Sequence, residues 1–103
     1  KVTDMKLQMH SINFEPKANL LDFVQRKVSK LETFHDHIVD AEVYLKLNNE
    51  GIQNKTVEIK INIPGNQVFA KEQAKSFEEA TDLTTEALRR QIKKYKEKIK
   101  IKH

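Results

Sequence analysis

Residues 76–102 read SFEEATDLTTEALRRQIKKYKEKIKIK, and the rest of the chain is organised around this stretch. Apolar residues recur in it at helical spacing: Phe77, Ala80, Leu83 or Thr84, Leu88, Ile92, Tyr95 and Ile99. At about 100° per residue, the last four of them fall within an arc of roughly 60°. The spacing predicts a long amphipathic helix that docks on the protein through this stripe.

The same stretch carries a dense run of positive charge. Residues 89–103 contain eight Lys or Arg and one acid, Glu97, whereas the other 88 residues contain 11 basic and 14 acidic side chains. An ordinary solvated helix mixes acids with bases, because like charges at i,i+4 repel each other. The pairs Arg89/Lys93 and Arg90/Lys94 show that repulsion with little relief, which favours polyanion binding over a merely solvated face. The cations form two ridges: Arg89, Lys93, Lys96 and Lys100, and then Arg90, Lys94 and Lys98.

Composition limits the class of protein. The chain has 103 residues and no cysteine, which excludes disulfides and thiolate metal sites and fits a reducing compartment. No apolar run approaches about 18 residues and no signal peptide is recognisable, so we expect a cytoplasmic protein without a membrane partner. Residues 1–4 precede Met5, a candidate initiator, and are expected to be a cloning remnant or disordered. Residues 5–103 are expected to form a single domain.

The remaining chain predicts one helix and four strands. Alternating apolar residues predict strands near residues 5–10, 39–47 and 56–63, the last two forming a hairpin around the turn Asn48–Gly51. A short strand is expected at about 67–72, after Pro64-Gly65. Helix 1 is expected at about 17–33, with a core stripe of Leu20, Leu21, Val24, Val28 and Leu31. The predicted order is β-α-β-β-β-α, an α+β fold in which both helices pack on one face of a four-stranded sheet.

The open face of that sheet is expected to be electrically balanced. It would show Lys6, Lys46 and Lys60 against Asp40, Glu42 and Glu58, with Tyr44 as its only aromatic residue. Such a face is a poor platform for phosphates or for base stacking, and this argues against binding in the manner of an RNA-recognition motif. The positive surface is therefore predicted on the helical side.

Lys27 is an anomaly in helix 1, because it lies at the edge of the apolar stripe with Arg26 and Lys30 beside it. One explanation is a snorkelling lysine whose stem covers the core. The other is that this edge of the helix borders a cleft that requires positive charge.

No catalytic constellation is recognisable, and we expect neither a cofactor nor a small-molecule substrate. The two glycines are too few for a phosphate-cradling loop, and no serine has a histidine and acid in context. His35-Asp36-His37 could bring two imidazoles near a metal, but zinc sites require three or four ligands. A simple loop between helix 1 and the second strand is the favoured interpretation, with no metal.

Several segments resemble one known family. They are LLDFVQRKVSKL at 20–31, FHDHI at 34–38, the Ile63-Pro64-Gly65 turn and, most specifically, ATDL at 80–83 followed by ALRRQIKKYKEK at 87–98. With the element order, they resemble the ribosome hibernation-promoting factor family, also called the ribosome-associated inhibitor or sigma-54 modulation family. The resemblance spans Met5 to about Lys98. Lys17, in place of the usual Ser or Thr cap, and Glu78, where many members have Tyr, depart from the pattern.

The resemblance implies a fold like that of the double-stranded-RNA-binding domain (dsRBD-like) and a non-enzymatic function. Members of that family lodge in the decoding channel of the small ribosomal subunit, against its 16S rRNA, and block translation in stressed or stationary-phase cells. We expect the short form of the family, without a C-terminal dimerisation domain, and a monomer. The candidate RNA-binding residues are Arg26, Lys27, Lys30, Arg89, Arg90, Lys93, Lys94, Lys96 and Lys98.

Two functions of other classes stay open from the residues alone. The first is a protein-interaction domain whose basic helix docks an acidic partner protein. The second is an enzyme that acts on RNA. Co-migration with ribosomes on sedimentation would distinguish the hibernation factor from the interaction domain.

Overall fold

The computed structural model describes residues 6–33 and 38–101, with side chains described as far as Lys98. Predictions for residues 1–5, the His35-Asp36-His37 loop, the Ile99 and Lys100 side chains and residues 102–103 lie outside that range. The predicted element order and fold class are confirmed. The elements are β1 (Lys6–Ile12), α1 (Ala18–Ser29), a 3₁₀ turn (Lys30–Thr33), β2 (Asp40–Leu47), β3 (Lys55–Ile63), β4 (Asn66–Ala74) and α2 (Phe77–Ile101).

The four strands form one sheet in the order β1-β2-β3-β4. β1 is parallel to β2 across the α1 crossover, and β2, β3 and β4 form an antiparallel meander. The register places Val43 opposite Ile59, and Ile59 opposite Ala70. Because side chains alternate between faces, this register collects the apolar residues of neighbouring strands on one side of the sheet.

The core lies between that apolar face and the two helices. α2 packs against β3 and β4, and α1 packs beside α2. One core cluster holds Leu20, Val24 and Val28 of α1, Leu88 and Ile92 of α2, and inward residues of β2, β3 and β4. The predicted helical stripe is thus correct in outline. Between its two alternatives, Thr84 is the buried residue, whereas Leu83 is 45% exposed.

Buried threonines explain how α2 tolerates polar residues in its core stripe. The hydroxyl of Thr84 donates to the carbonyl of Ala80 over 2.7 Å, and that of Thr81 donates to Phe77 over 2.7 Å. Both hydroxyls are satisfied within the helix, which removes most of the cost of burying them.

The ends of the helices differ in how they are capped. Lys17 occupies the N-cap position of α1 and makes no side-chain cap, as the sequence predicted. At the start of α2, the Ser76 hydroxyl accepts a hydrogen bond from the Glu79 N–H over 3.0 Å. Glu78 and Glu79 lie in that first turn, where acids interact favourably with the helix dipole.

Several predicted boundaries were wrong. β4 was expected to be short, at about 67–72, but it spans Asn66–Ala74 and is as long as β3. α1 ends at Ser29 and continues to Thr33 only as a tighter 3₁₀ turn. Val39 lies outside β2 and is 54% exposed, although the alternation placed it in the core. Its N–H donates to the Asn62 carbonyl over 2.8 Å, so its backbone approaches the sheet while its side chain does not join the core.

The open edge of β4 is closed by a side chain of α2. The Gln91 amide donates to the Phe69 carbonyl over 2.7 Å, and its oxygen accepts from the Phe69 N–H over 3.3 Å. An unpaired strand edge is a template for another strand. Gln91 thus occupies one such backbone pair in the way that a neighbouring strand would.

Candidate nucleic-acid interface

A groove runs between α1 and α2 on the side of the molecule away from the sheet edge of β4. It begins as a cavity of about 150 Å³ and continues into one of about 350 Å³, with Arg89 shared by the two. We call the two together the inter-helix groove. Its lining residues are Lys27, Lys30, Leu31, Thr33, Thr85, Glu86, Arg89, Lys93 and Lys96.

Lys27 faces this groove but has an acidic partner. Its ammonium lies 2.8 Å from a carboxylate oxygen of Asp82 in α2, and both side chains are partly exposed. The same ammonium lies 5.9 Å from the ring centroid of Phe23, and the Arg26 guanidinium lies 5.8 Å from that same centroid. Lys27 is therefore neither a simple snorkelling lysine nor an unbalanced charge in a cleft. It connects the two helices.

Glu86 is the second acid in the groove, and it contacts two arginines. Its carboxylate accepts from Arg89 Nε over 3.2 Å and from Arg89 Nη2 over 2.5 Å, and it lies 3.5 Å from Arg90 Nη1. We call Glu86, Arg89 and Arg90 the Glu86 cluster. The Arg89 hydrogen bond holds the pKa of Glu86 below its usual value, aided by the charges of both arginines and opposed by desolvation. The same bond raises the pKa of Arg89.

The ridge of α2 that faces α1 is consequently polarised. Its N-terminal part carries the acids Asp82 and Glu86, and its C-terminal part carries Arg89, Lys93 and Lys96. Within the described part of the chain, neither Lys93 nor the facing Lys30 forms an ion pair. The excess of positive charge in the groove therefore lies at its far end, beyond Glu86.

The second predicted ridge faces a different surface. Lys94 and Lys98 line a cleft of about 690 Å³ between α2 and the β3–β4 turn, which we call the hairpin cleft. Tyr95 supports it by donating from its hydroxyl to the Pro64 carbonyl over 3.0 Å. Its other lining residues are Asn66, Gln67, Val68, Gln91 and Glu97.

The nine predicted RNA-binding residues thus do not share one surface. Five of them meet at the inter-helix groove, and two, Lys94 and Lys98, lie in the hairpin cleft. Arg90 is 62% exposed and belongs to neither lining. Arg26 lines a depression of about 630 Å³ along α1 that also reaches Lys27 and Lys30.

The open face of the sheet is electrically balanced, as expected. Lys60 lies 3.5 Å from Glu42, and Lys71 lies 3.8 Å from Glu58. The expectation that Tyr44 is its only aromatic residue was wrong. His10 stacks on Tyr44 with ring centroids 4.7 Å apart, and Phe69, opposite Lys60 in the register, is 47% exposed.

Sequence reasoning missed Asp82 and Glu86 as members of the site. The spacing of Glu86 to Arg89 and Arg90, at i,i+3 and i,i+4, was a readable signal. The negative charge of Glu86 offsets part of the repulsion between the cations of this helix, which was predicted to have little relief. Asp82 had no such signal, because its partner Lys27 lies in the other helix.

Among residues 6–33 and 38–98, no three His, Asp or Glu side chains lie close enough together to hold a metal ion. None of the helices described is long and apolar enough to cross a membrane.

The fold and the charged helices correspond to a known family. A sequence profile of the family described as sigma 54 modulation protein / S30EA ribosomal protein matches residues 7–100. The chain belongs to this family. One relative is the ribosome hibernation promotion factor of Bacillus subtilis, 34% identical over 95 residues. Another is the ribosome hibernation promoting factor of Pseudomonas putida, 33% identical over 94 residues.

The sigma 54 modulation / S30EA relatives differ in length. The match covers 92% of this chain but only 50% of the B. subtilis protein, whereas it covers 91% of this chain and 89% of the P. putida protein. Among solved structures, the N-terminal domain of Thermus thermophilus Protein Y superposes with a TM-score of 0.78 at 25% identity. That superposition covers 88% of this chain and 99% of the Thermus domain.

Proposed function

We propose that this member of the sigma 54 modulation / S30EA family is a ribosome hibernation factor. It binds the 16S rRNA of the small ribosomal subunit in the decoding channel and inhibits translation during stress or stationary phase. It acts in the cytoplasm as a binding module without catalytic turnover. The names of the B. subtilis and P. putida relatives support the hibernation role.

The observation that carries the proposal is the separation of charge between the two faces of the domain. The helical face presents Lys30, Lys93, Lys94 and Lys98, none of them in an ion pair with another described residue. On the opposite face, Lys60 pairs with Glu42 and Lys71 with Glu58. A phosphate backbone is recognised by cations that project from a rigid support, and two helices fixed on one sheet provide that support.

Recognition in this proposal is of shape and charge. The inter-helix groove and the hairpin cleft lie on opposite flanks of α2, so this helix can contact phosphates on both of its sides. Structured RNA offers phosphates in such arrangements, and the grooves of an A-form helix are read in this way. If six of the nine candidate cations each neutralise one phosphate, log K should fall with log salt at a slope of about −4 to −5.

The channel location makes a prediction about the stage of translation that is blocked. A domain of about 100 residues in the channel excludes messenger and initiator tRNA, but it must compete with ligands that are already bound there. In a cell-free system, we expect the protein to inhibit initiation on empty ribosomes much more than elongation by ribosomes already loaded. Equal inhibition of preloaded ribosomes would contradict the channel location.

A matched variant separates binding from general interference. Lys94→Glu reverses one charge in the hairpin cleft, and Lys46→Glu reverses one on the exposed sheet face. We expect Lys94→Glu to lose most of the inhibition and Lys46→Glu to retain it. Wild-type protein that fails to sediment with ribosomes, but is retained by an acidic protein, would instead support the interaction domain.

A further inference from the structure

The Glu86 cluster places a carboxylate where an RNA phosphate would otherwise bind. Arg89 meets Glu86 through its Nε and Nη2 atoms, and Arg90 adds a third nitrogen on the same carboxylate. An arginine fork fits carboxylate and phosphate in the same two-point geometry. The contact that Glu86 makes with Arg89 is therefore the contact that a phosphate oxygen pair would make.

The cluster is also open to exchange. The side chains of Arg89, Arg90 and Glu86 are 35%, 62% and 49% exposed. Ion pairs between exposed side chains contribute little net stability, so an incoming phosphate can take the place of the carboxylate without a large penalty. Glu86 cannot leave, however, because it is fixed one turn away on the same helix.

We propose that Glu86 is an internal competitor for RNA phosphate, which holds Arg89 and Arg90 in position in the free protein and recaptures them when the RNA leaves. This inference rests on the proposed RNA-binding function and adds a role for an acidic residue within it. The competitor weakens binding and speeds dissociation. A factor that silences ribosomes reversibly requires such release.

The size of the effect follows from Coulomb's law. A charge about 4 Å from the bound phosphate raises its energy in water by an amount that corresponds to roughly a fivefold change in affinity. Glu86→Gln should therefore bind RNA about fivefold more tightly, mainly through slower dissociation. Because the arginines keep a neutral hydrogen-bonding neighbour and both residues are good helix formers, the fold should not change.

The experiment is a double-mutant cycle on the full chain. Dissociation rates from poly(U) and from purified ribosomes are measured for wild type, Glu86→Gln, Arg89→Gln/Arg90→Gln and the triple variant. Glu78→Gln is the matched control, since Glu78 is an exposed acid of the same helix that lines neither the inter-helix groove nor the hairpin cleft and forms no ion pair with another described residue. Melting temperatures on the same samples establish that each variant is folded.

The inference predicts that the effect of Glu86→Gln depends on the arginines. In the wild-type background it should slow dissociation about fivefold, well beyond the effect of Glu78→Gln. In the Arg89→Gln/Arg90→Gln background its effect should shrink to that of Glu78→Gln. Equal effects of the two glutamine variants, or an effect that survives without the arginines, would overturn it. Wild-type protein that leaves ribosomes unbound would overturn the proposed function instead, and the poly(U) cycle would still decide on Glu86.

Discussion

The ammonium of Lys27 in α1 and the carboxylate of Asp82 in α2 lie 2.8 Å apart and connect the two helices above the core. Both side chains are partly exposed, so the pair should contribute only about 0.2–1 kcal/mol to stability. We expect a double-mutant cycle with Lys27→Met and Asp82→Asn, measured by urea unfolding, to give a coupling of that size. The coupling should fall in high salt, since screening weakens an exposed pair. A coupling that is zero at low salt would show that the helices are held by apolar packing alone.

Charge reversals should distinguish the helical face from the sheet face. Lys30→Glu in the inter-helix groove and Lys94→Glu in the hairpin cleft should each reduce ribosome pelleting by about tenfold or more, because each loses a phosphate contact and adds repulsion. Lys46→Glu is the control, since it lies exposed on the sheet face and forms no ion pair with another described residue. If Lys46→Glu costs as much binding as the helical variants, the proposed orientation is wrong.

Replacing Arg89, Arg90, Lys93, Lys94 and Lys96 together by Gln should abolish ribosome association and leave the fold intact. These side chains lie off the buried stripe of Leu88 and Ile92, and Gln has a helix propensity close to those of Lys and Arg. Relief of i,i+4 repulsion would raise stability by a few tenths of a kcal/mol per pair, but loss of the Glu86 contacts offsets part of it. We therefore expect a melting temperature close to that of the wild type. Normal pelleting with an unchanged salt slope would identify the helix as a solvated face.

Glu86 should make a pH-dependent contribution to stability. Its pKa in the folded protein is lowered, chiefly by the Arg89 hydrogen bond, relative to the unfolded chain. The contribution is therefore fully present above the ordinary glutamate pKa and is lost as the pH falls through the lowered folded value. Urea unfolding of wild type and Glu86→Gln should show a stability difference that favours the wild type at neutral pH and narrows on acidification. A stability difference that increases on acidification would contradict a lowered pKa of Glu86 in the folded protein.

Gln91 should protect the edge of β4. Gln91→Ala removes both hydrogen bonds to the Phe69 backbone, which we expect to lower the free energy of unfolding by about 1–2 kcal/mol. The exposed edge should also promote concentration-dependent association, measured by sedimentation velocity. Gln91→Glu is an informative comparison, because a carboxylate can still accept from the Phe69 N–H but cannot donate to its carbonyl. A monomeric Gln91→Ala protein at all concentrations would show that the edge is protected by other means.

The sequence predicted the architecture well because its signal is periodic. Alternation in β2 and β3 and the 3.6-residue stripe of α2 each repeat several times, so one irregular residue does not change the interpretation. Errors occurred where a decision depended on one residue. Leu83 and Thr84 are adjacent, and the buried one is the smaller, polar Thr84. Its burial is tolerated because its hydroxyl donates to the Ala80 carbonyl.

Phe69 was missed for a related reason. In β4 the inward residues are Val68 and Ala70, and the larger Phe69 points outward. An apolar run of three residues does not indicate which of them faces the core, and the largest one is usually assigned there. α2 packs against β4, where Val68, Ala70 and Ala74 are the buried residues, and that packing is a property of the assembled fold.

The candidate site was predicted as a set of cations, but not as an arrangement. Local spacing identified Arg89, Lys93 and Lys96 as neighbours, since all three lie on one helix. The pairing of Lys27 with Asp82 and the separation of Lys94 from the inter-helix groove depend on how α1, α2 and the β3–β4 turn pack together. That information is tertiary, and no periodicity in the chain contains it.

The hydrogen bond from Tyr95 to Pro64 has a consequence for the order in which α2 opens. Among the side chains described, which end at Lys98, Ile92 is the last that is fully buried, Tyr95 is half-buried, and Lys96, Glu97 and Lys98 are exposed. Amide exchange of a helix reflects the free energy of local opening, which decreases where tertiary contacts end. The amides before Tyr95 should thus exchange slowly and those after it fast, so that the last cations reside on the part of the helix that opens most readily. Contact with a phosphate backbone would slow amide exchange there first. The free energy needed to order that turn would then reduce the affinity for RNA.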